Sequence, residues 1–128
     1  MDVFVFIFGG LMDEKSETED ASVHLLLMVA ESLKRNIEFA VRQLNSKKVK
    51  SEMKLKWSRI VVRHVEALIK VVEALNKLRG KTGAKAELDL ASYLAGLESQ
   101  IPKRFVSREF ARIVKRMQRR ASRHRTKN

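Results

Sequence analysis

The last quarter of the chain carries a concentration of arginine that suits contact with phosphate groups. Residues 103–128 contain eleven basic side chains and one acid, Glu109, so they hold ten of the chain's twelve net positive charges. Eight of the eleven are arginines, whose planar guanidinium groups form paired hydrogen bonds with phosphate oxygens. Such a strip of like charge is typical of a surface that meets an anionic partner. The candidate contacts are Arg104, Arg108, Arg112, Lys115, Arg116, Arg119, Arg120 and Arg123.

A second basic cluster lies in the middle of the chain. Between Lys47 and Arg63 seven basic residues are accompanied by one acid, Glu52. Its candidate contacts are Lys48, Lys50, Lys54, Lys56, Arg59 and Arg63. Two interpretations are open: a second phosphate-binding surface that projects from the body, or a turn that only aids solubility. Trp57 offers a ring for base stacking, but its position one turn before an apolar stretch favours the edge of the core.

Other kinds of site chemistry are poorly supported by the sequence. There is no cysteine, and the three histidines lie far apart without carboxylate or thiol neighbours at ligand spacing. Gly80, Lys81 and Thr82 resemble the end of a phosphate-binding loop, but Leu75 stands where that motif needs a glycine. No paired acids and no nucleophile with a neighbouring base are present. The sequence therefore predicts neither an enzyme nor a cofactor or metal site.

The basic residues must be positioned by helices, because apolar residues recur three and four positions apart along most of the chain. The first run predicts a helix over about 21–45 and consists of Val23, Leu26, Ala30, Leu33, Ile37, Ala40 and Leu44. The second predicts a helix over about 51–79 and consists of Val61, Val65, Leu68, Val72 and Leu75. Their short connection favours a long antiparallel hairpin. Two interpretations are open for these apolar runs: they pack on each other and on the later helices, or part of a run forms a homodimer or docks on a partner helix.

The beginning of the first helix has a wider apolar face than the rest. Leu25, Leu27, Met28 and Val29 supplement the main run. A helix that is apolar on several sides is usually buried on several sides. We therefore expect this end of the helix to lie inside the protein.

Two shorter helices complete the prediction of an all-α fold, a bundle of about four helices. The third covers about 85–100 and ends before Pro102. The fourth covers about 107–122, with Ser107 as its N-cap. Its apolar face is predicted to hold Val106, Phe110, Ile113, Val114, Met117 and Ala121. Beyond Arg119 only Ala121 continues this face, so we expect Arg120–Lys127 to be a flexible extension. The pair of helices matches a helix-turn-helix poorly, because its connection is long and lacks glycine.

The chain divides into a flexible acidic segment at 1–20, one helical domain at 21–122 and a flexible basic tail at 123–128. Residues 1–20 contain six acids and one lysine. The apolar run Val3–Phe8 is far shorter than the roughly 20 residues that cross a bilayer. Either it adds a strand to a partner's sheet, or residues 1–11 are an upstream extension and the chain truly starts at Met12. The second interpretation is favoured.

These observations predict a small basic accessory protein that binds DNA or RNA phosphates without sequence preference, within a larger nucleoprotein complex. The net charge of +12 and pI near 10.4 are typical of nucleic-acid-binding domains. The alternative is a helical adaptor whose basic helix docks on an acidic protein. A membrane partner is disfavoured because the apolar face of the last helix is poor after Met117. We expect a cytoplasmic location.

Overall fold

The structure is a computed structural model that describes the backbone of residues 17–79 and 83–126, and side chains at 21–78 and 89–123. The described residues form four α-helices, α1 (Glu17–Asn45), α2 (Ser51–Arg79), α3 (Gly83–Gln100) and α4 (Arg108–Thr126). A 3-10 turn, Lys103–Phe105, lies between α3 and α4. The prediction of a small all-α bundle is confirmed. The expectations for residues 1–16 and for the Gly80–Thr82 turn lie outside the described residues.

The first two helices form the predicted antiparallel hairpin. They pack against each other along their length, and the apolar runs predicted for both helices lie in the core. Ile37 and Leu44 of α1 and Leu68 and Leu75 of α2 are completely buried. The turn between the helices is held by local bonds, including one from the Ser46 amide to the carbonyl of Gln43 at 3.2 Å.

The other two helices form a second, shorter hairpin. Their connection contains a backbone hydrogen bond from the Phe105 amide to the Pro102 carbonyl at 2.8 Å. The predicted N-cap of α4 is confirmed, since the Ser107 hydroxyl accepts the Phe110 amide proton at 3.0 Å. The predicted face of α4 is buried at Phe110, Ile113, Val114, Met117 and Ala121, and Val106 packs beside it.

The chain reversals of both hairpins meet at one end of the bundle, which we call the turn end. There the Asn45 side-chain amide donates to the Gln100 carbonyl at 2.9 Å. The Ser58 hydroxyl donates to the Phe105 carbonyl at 2.7 Å. The four helices therefore run alternately up and down, and α2 and α4 are parallel. The expectation that the first turn projects from the body is wrong, because the α3–α4 connection packs against it.

The beginning of α1 also differs from its expected burial. Leu25 is 62% exposed and Met28 is 68% exposed, whereas Val23 and Ala30 are buried. Helix α1 packs mainly against α2, and the described residues leave the side with Leu25 and Met28 largely open. The beginning of α1 therefore has apolar residues on several faces but is not buried on all of them.

Candidate nucleic-acid interface

One side of α4 carries an uninterrupted set of basic residues, which we call the α4 stripe. At 100° of rotation per residue its members fall within about 100° of arc, roughly opposite the buried face. All six are exposed. The α4 stripe consists of Arg108, Arg112, Lys115, Arg116, Arg119 and Arg123.

The buried side of α4, opposite the α4 stripe, fixes the position of the helix. Phe110 and Met117, on the opposite side of the helix, are almost completely buried in the common core. The N-cap at Ser107 fixes the first turn. The charges therefore sit on a helix that is already ordered, so binding a polyanion has less conformational entropy to remove.

The end of α4 corrects the expectation of a flexible extension from Arg120. Helix α4 continues to Thr126, four residues beyond the predicted end, so the predicted tail at 123–128 begins inside it. Ala121 is only 4% exposed. The Arg120 guanidinium lies toward α2, with Nη1 3.5 Å from Oε1 of Glu73. Arg120 is therefore outside the α4 stripe, although its position in sequence resembles that of Arg119.

Arg104 and Lys54 come together around one aromatic ring, although 50 positions separate them in sequence. The Arg104 guanidinium carbon is 4.8 Å from the centroid of Phe105, and the Lys54 ammonium nitrogen is 5.6 Å from it. Arg104 also donates to the Ser51 hydroxyl at 3.1 Å. The two predicted basic clusters thus meet at the turn end. Sequence spacing gave no signal for this meeting.

Arg59 and Arg63 approach the beginning of α4 from α2. They line a small cleft between the two helices, and its walls are Arg59, Val62, Arg63, Glu66, Ser107 and Glu109. Two acids share this cleft, so its charge is mixed. Glu73 also lies between α2 and α4, where it pairs with Arg120. The α4 stripe, in contrast, contains no acid.

The remaining members of the second cluster are more dispersed. Lys48 and Lys50 are exposed in the turn, and Lys56 is exposed on the same side of α2 as Arg63. Trp57 packs against the core and meets Phe39 edge to face, with ring centroids 5.5 Å apart. The interpretation of Trp57 as a core-edge residue is confirmed.

Comparison of this chain with protein-family models, curated proteins and solved structures found no match. Within the described part of the chain, no three His, Asp or Glu side chains are grouped as metal ligands would be. The helices described also include none with the length and hydrophobicity that crossing a bilayer requires.

Proposed function

We propose that this protein binds the phosphate backbone of DNA or RNA through the α4 stripe, as a basic accessory protein without sequence preference. The observation that carries the proposal is the exposure of six cations on the outer side of a helix whose inner side is buried. Arg104 and Lys54 extend the positive surface at the turn end. Arg59, Arg63 and the turn lysines provide further long-range attraction.

The length of the α4 stripe suits a polyanion. From Arg108 to Arg123 the helix rises about 22 Å, at 1.5 Å per residue. One strand of duplex DNA carries a phosphate about every 3.4 Å of its axis. The six cations can therefore face about six phosphates.

The composition of the α4 stripe supports backbone contact over base recognition. Its members are all arginine or lysine, and no aromatic side chain lies among them. Phe105 and Phe110, the nearest rings, are buried. Contacts to phosphates set the position and orientation of a protein on nucleic acid but carry no direct sequence information.

The salt dependence of binding tests the proposal. With six contacts, the logarithm of affinity for duplex DNA should fall against the logarithm of salt with a slope of about −5, or roughly 10³-fold between 50 and 200 mM. The variant Arg112→Gln/Arg116→Gln/Arg119→Gln should reduce the magnitude of that slope by about 2.7. The control Arg35→Gln/Lys70→Gln/Lys77→Gln removes the same charge elsewhere and should leave the slope nearly unchanged.

Fluorescence anisotropy with labelled duplex and single-stranded probes of unrelated sequence measures both quantities. If the two triple variants reduce the magnitude of the salt slope equally, net charge and not the α4 stripe is responsible for binding. Absence of binding near 50 mM salt would contradict the proposal and favour an acidic protein as the partner.

A further inference from the structure

The side of the first hairpin that faces away from α3 and α4 carries two uncharged seams. Residues in each seam alternate in steps of four and three. The α1 seam is Leu25, Val29, Ser32, Asn36, Phe39 and Gln43. The α2 seam is Met53, Trp57, Ile60, His64, Ala67, Val71, Ala74 and Leu78. One residue in three of this protein is charged, yet none of these fourteen is.

The two seams form one continuous surface. Phe39 and Trp57 are in edge-to-face contact, which places the seams side by side. Leu25 lies fourteen residues before Phe39, and Val71 lies fourteen after Trp57. Since antiparallel helices rise equally per residue, Leu25 and Val71 are also level with each other. The surface therefore extends along most of the hairpin.

This surface is open to a partner. Leu25, Val29, Phe39, Met53 and Leu78 are among the exposed large apolar side chains of the described residues. The seam of α2 is half-buried at Ile60, Ala67 and Val71. The polar members of the two seams are Ser32, Asn36, Gln43 and His64. The Nδ1–H of His64 donates to the carbonyl of Ile60 at 2.9 Å. Alternating steps of four and three are the repeat by which helices pack on other helices.

The second hairpin lies on the other side of α2. Ser58 and Glu73 contact the 3-10 turn and α4. Ile60 lies two residues after Ser58, and Val71 lies two residues before Glu73. Two residues correspond to about 200° of rotation around the helix, so the α2 seam faces away from the second hairpin. A partner on the seams therefore does not compete with α3 or α4.

We propose that a second copy of this chain docks on this surface, so that two α1–α2 hairpins pack face to face in a two-fold symmetric homodimer. A symmetric interface pairs one patch with itself. That pairing is unfavourable for a strongly basic patch and favourable for an uncharged one in which ten of fourteen residues are apolar. Glu31, Arg35, Glu38 and Arg42 lie outside the α1 seam as a rim of mixed charge, which is the usual arrangement at interface edges.

The size of the surface agrees with this occupant. Two adjacent helices are about 20 Å wide, and the seams are about 27–37 Å long, which gives roughly 550–750 Å² of projected area per copy. Specific interfaces of standard size bury about 800 Å² per partner. A lone partner helix would cover only part of this width.

The arrangement also keeps the main charges of the two copies apart. Helix α4 of each copy lies on the outer side of the dimer, three interhelical spacings from its equivalent, or roughly 24–30 Å. At physiological salt, charges are screened beyond about 8 Å. The two α4 stripes therefore repel each other weakly and both remain accessible.

Sedimentation equilibrium of the full chain, after nuclease treatment and at high salt, tests the dimer without any nucleic acid. We expect a mass of 29.6 kDa, twice the 14.8 kDa of the chain, at tens of micromolar protein. Leu25→Glu should raise the dissociation constant at least tenfold. Leu55→Glu is the matched control, because Leu55 is also exposed, at 54%. Leu55 lies two residues from Met53 and therefore on the other side of α2, so this substitution should leave the dimer intact.

Circular dichroism should show that both variants keep their helices, since both leucines are exposed in a single copy. A wild-type mass of 14.8 kDa at about 100 µM would overturn the proposal, as would equal dissociation of the two variants. Spin labels on single cysteines provide a second test, because the chain has no cysteine of its own. Labels at Ser32→Cys should lie closer together in the dimer than labels at Gln118→Cys, and the reverse order would also overturn it.

Discussion

The hydroxyl of Ser58 in α2 donates a 2.7 Å hydrogen bond to the backbone carbonyl of Phe105, 47 residues later in the chain. Ser58 is a buried polar residue, and the bond lies where the two hairpins meet. It gives the Phe105 carbonyl, which lies in the turn before α4, a hydrogen-bond donor from α2. The contact therefore fixes the beginning of α4 relative to the first hairpin.

Ser58→Ala should lower the free energy of unfolding by about 1–3 kcal/mol, because a buried carbonyl loses its donor. This corresponds to a decrease in melting temperature on the order of 5 °C. Thermal denaturation followed by circular dichroism measures the change. Ser99→Ala is the control, since Ser99 is exposed and its hydroxyl donates to the Gly96 carbonyl in its own helix. An equal effect in the two variants would argue against a special role for Ser58.

Ser107→Ala should cost about 1 kcal/mol, because the Phe110 amide loses its capping acceptor. Ser107→Asp should retain most of the stability, since a carboxylate also caps the helix and interacts favourably with its amino-terminal dipole. Urea denaturation at neutral pH distinguishes the two variants. If the aspartate variant is as unstable as the alanine variant, the hydroxyl at this position acts by some means other than capping.

Neighbouring arginines in α4 should contribute unequally to nucleic-acid binding if the α4 stripe is the binding surface. Arg119→Gln should reduce the magnitude of the salt slope by about 0.9, the value for one phosphate contact on duplex DNA. Arg120→Gln should change the slope less, because this guanidinium lies toward Glu73. The two substitutions remove the same charge at adjacent positions, so each is the control for the other. Equal slopes would contradict the assignment of Arg120 to the α2 side.

Ala121→Asp should destabilise the protein by about 3 kcal/mol or more, because it places an unpaired charge at a buried position. Gln118→Asp introduces the same side chain on an exposed part of α4 and should change stability by no more than about 0.5 kcal/mol. Chemical denaturation of both variants makes the comparison. Similar stability of the two would mean that the end of α4 is not packed on the core in solution.

Local periodicity was sufficient to predict the helices and most of their buried faces. Phe110, Ile113, Val114 and Met117 are three or four residues apart, and that spacing alone places them on one side of a helix. The Ser107 cap is also a local signal, because donor and acceptor are three residues apart. Such features depend on neighbours in sequence and on little else.

Features that depend on how the helices are arranged could not be predicted in this way. Lys54 and Arg104 meet at Phe105 only because the two chain reversals lie at the same end of the bundle. No apolar residue follows Ala121, so the apolar pattern ended there and the predicted helix stopped four residues before Thr126. The exposure of Leu25 reflects the number of neighbouring helices, which the sequence of α1 does not specify.

The hydrogen bonds described between the two hairpins, from Asn45, Ser58 and Arg104, have a mechanical consequence because all lie at the turn end. The Arg120–Glu73 ion pair joins the same two hairpins near the other end of α4, where Met117 and Ala121 are also buried. Contacts at both ends therefore hold α4 against the first hairpin. Under the proposed function, Arg108 and Arg123 would then be kept about 22 Å apart, a fixed spacing that suits a straight polyanion better than a sharply bent one.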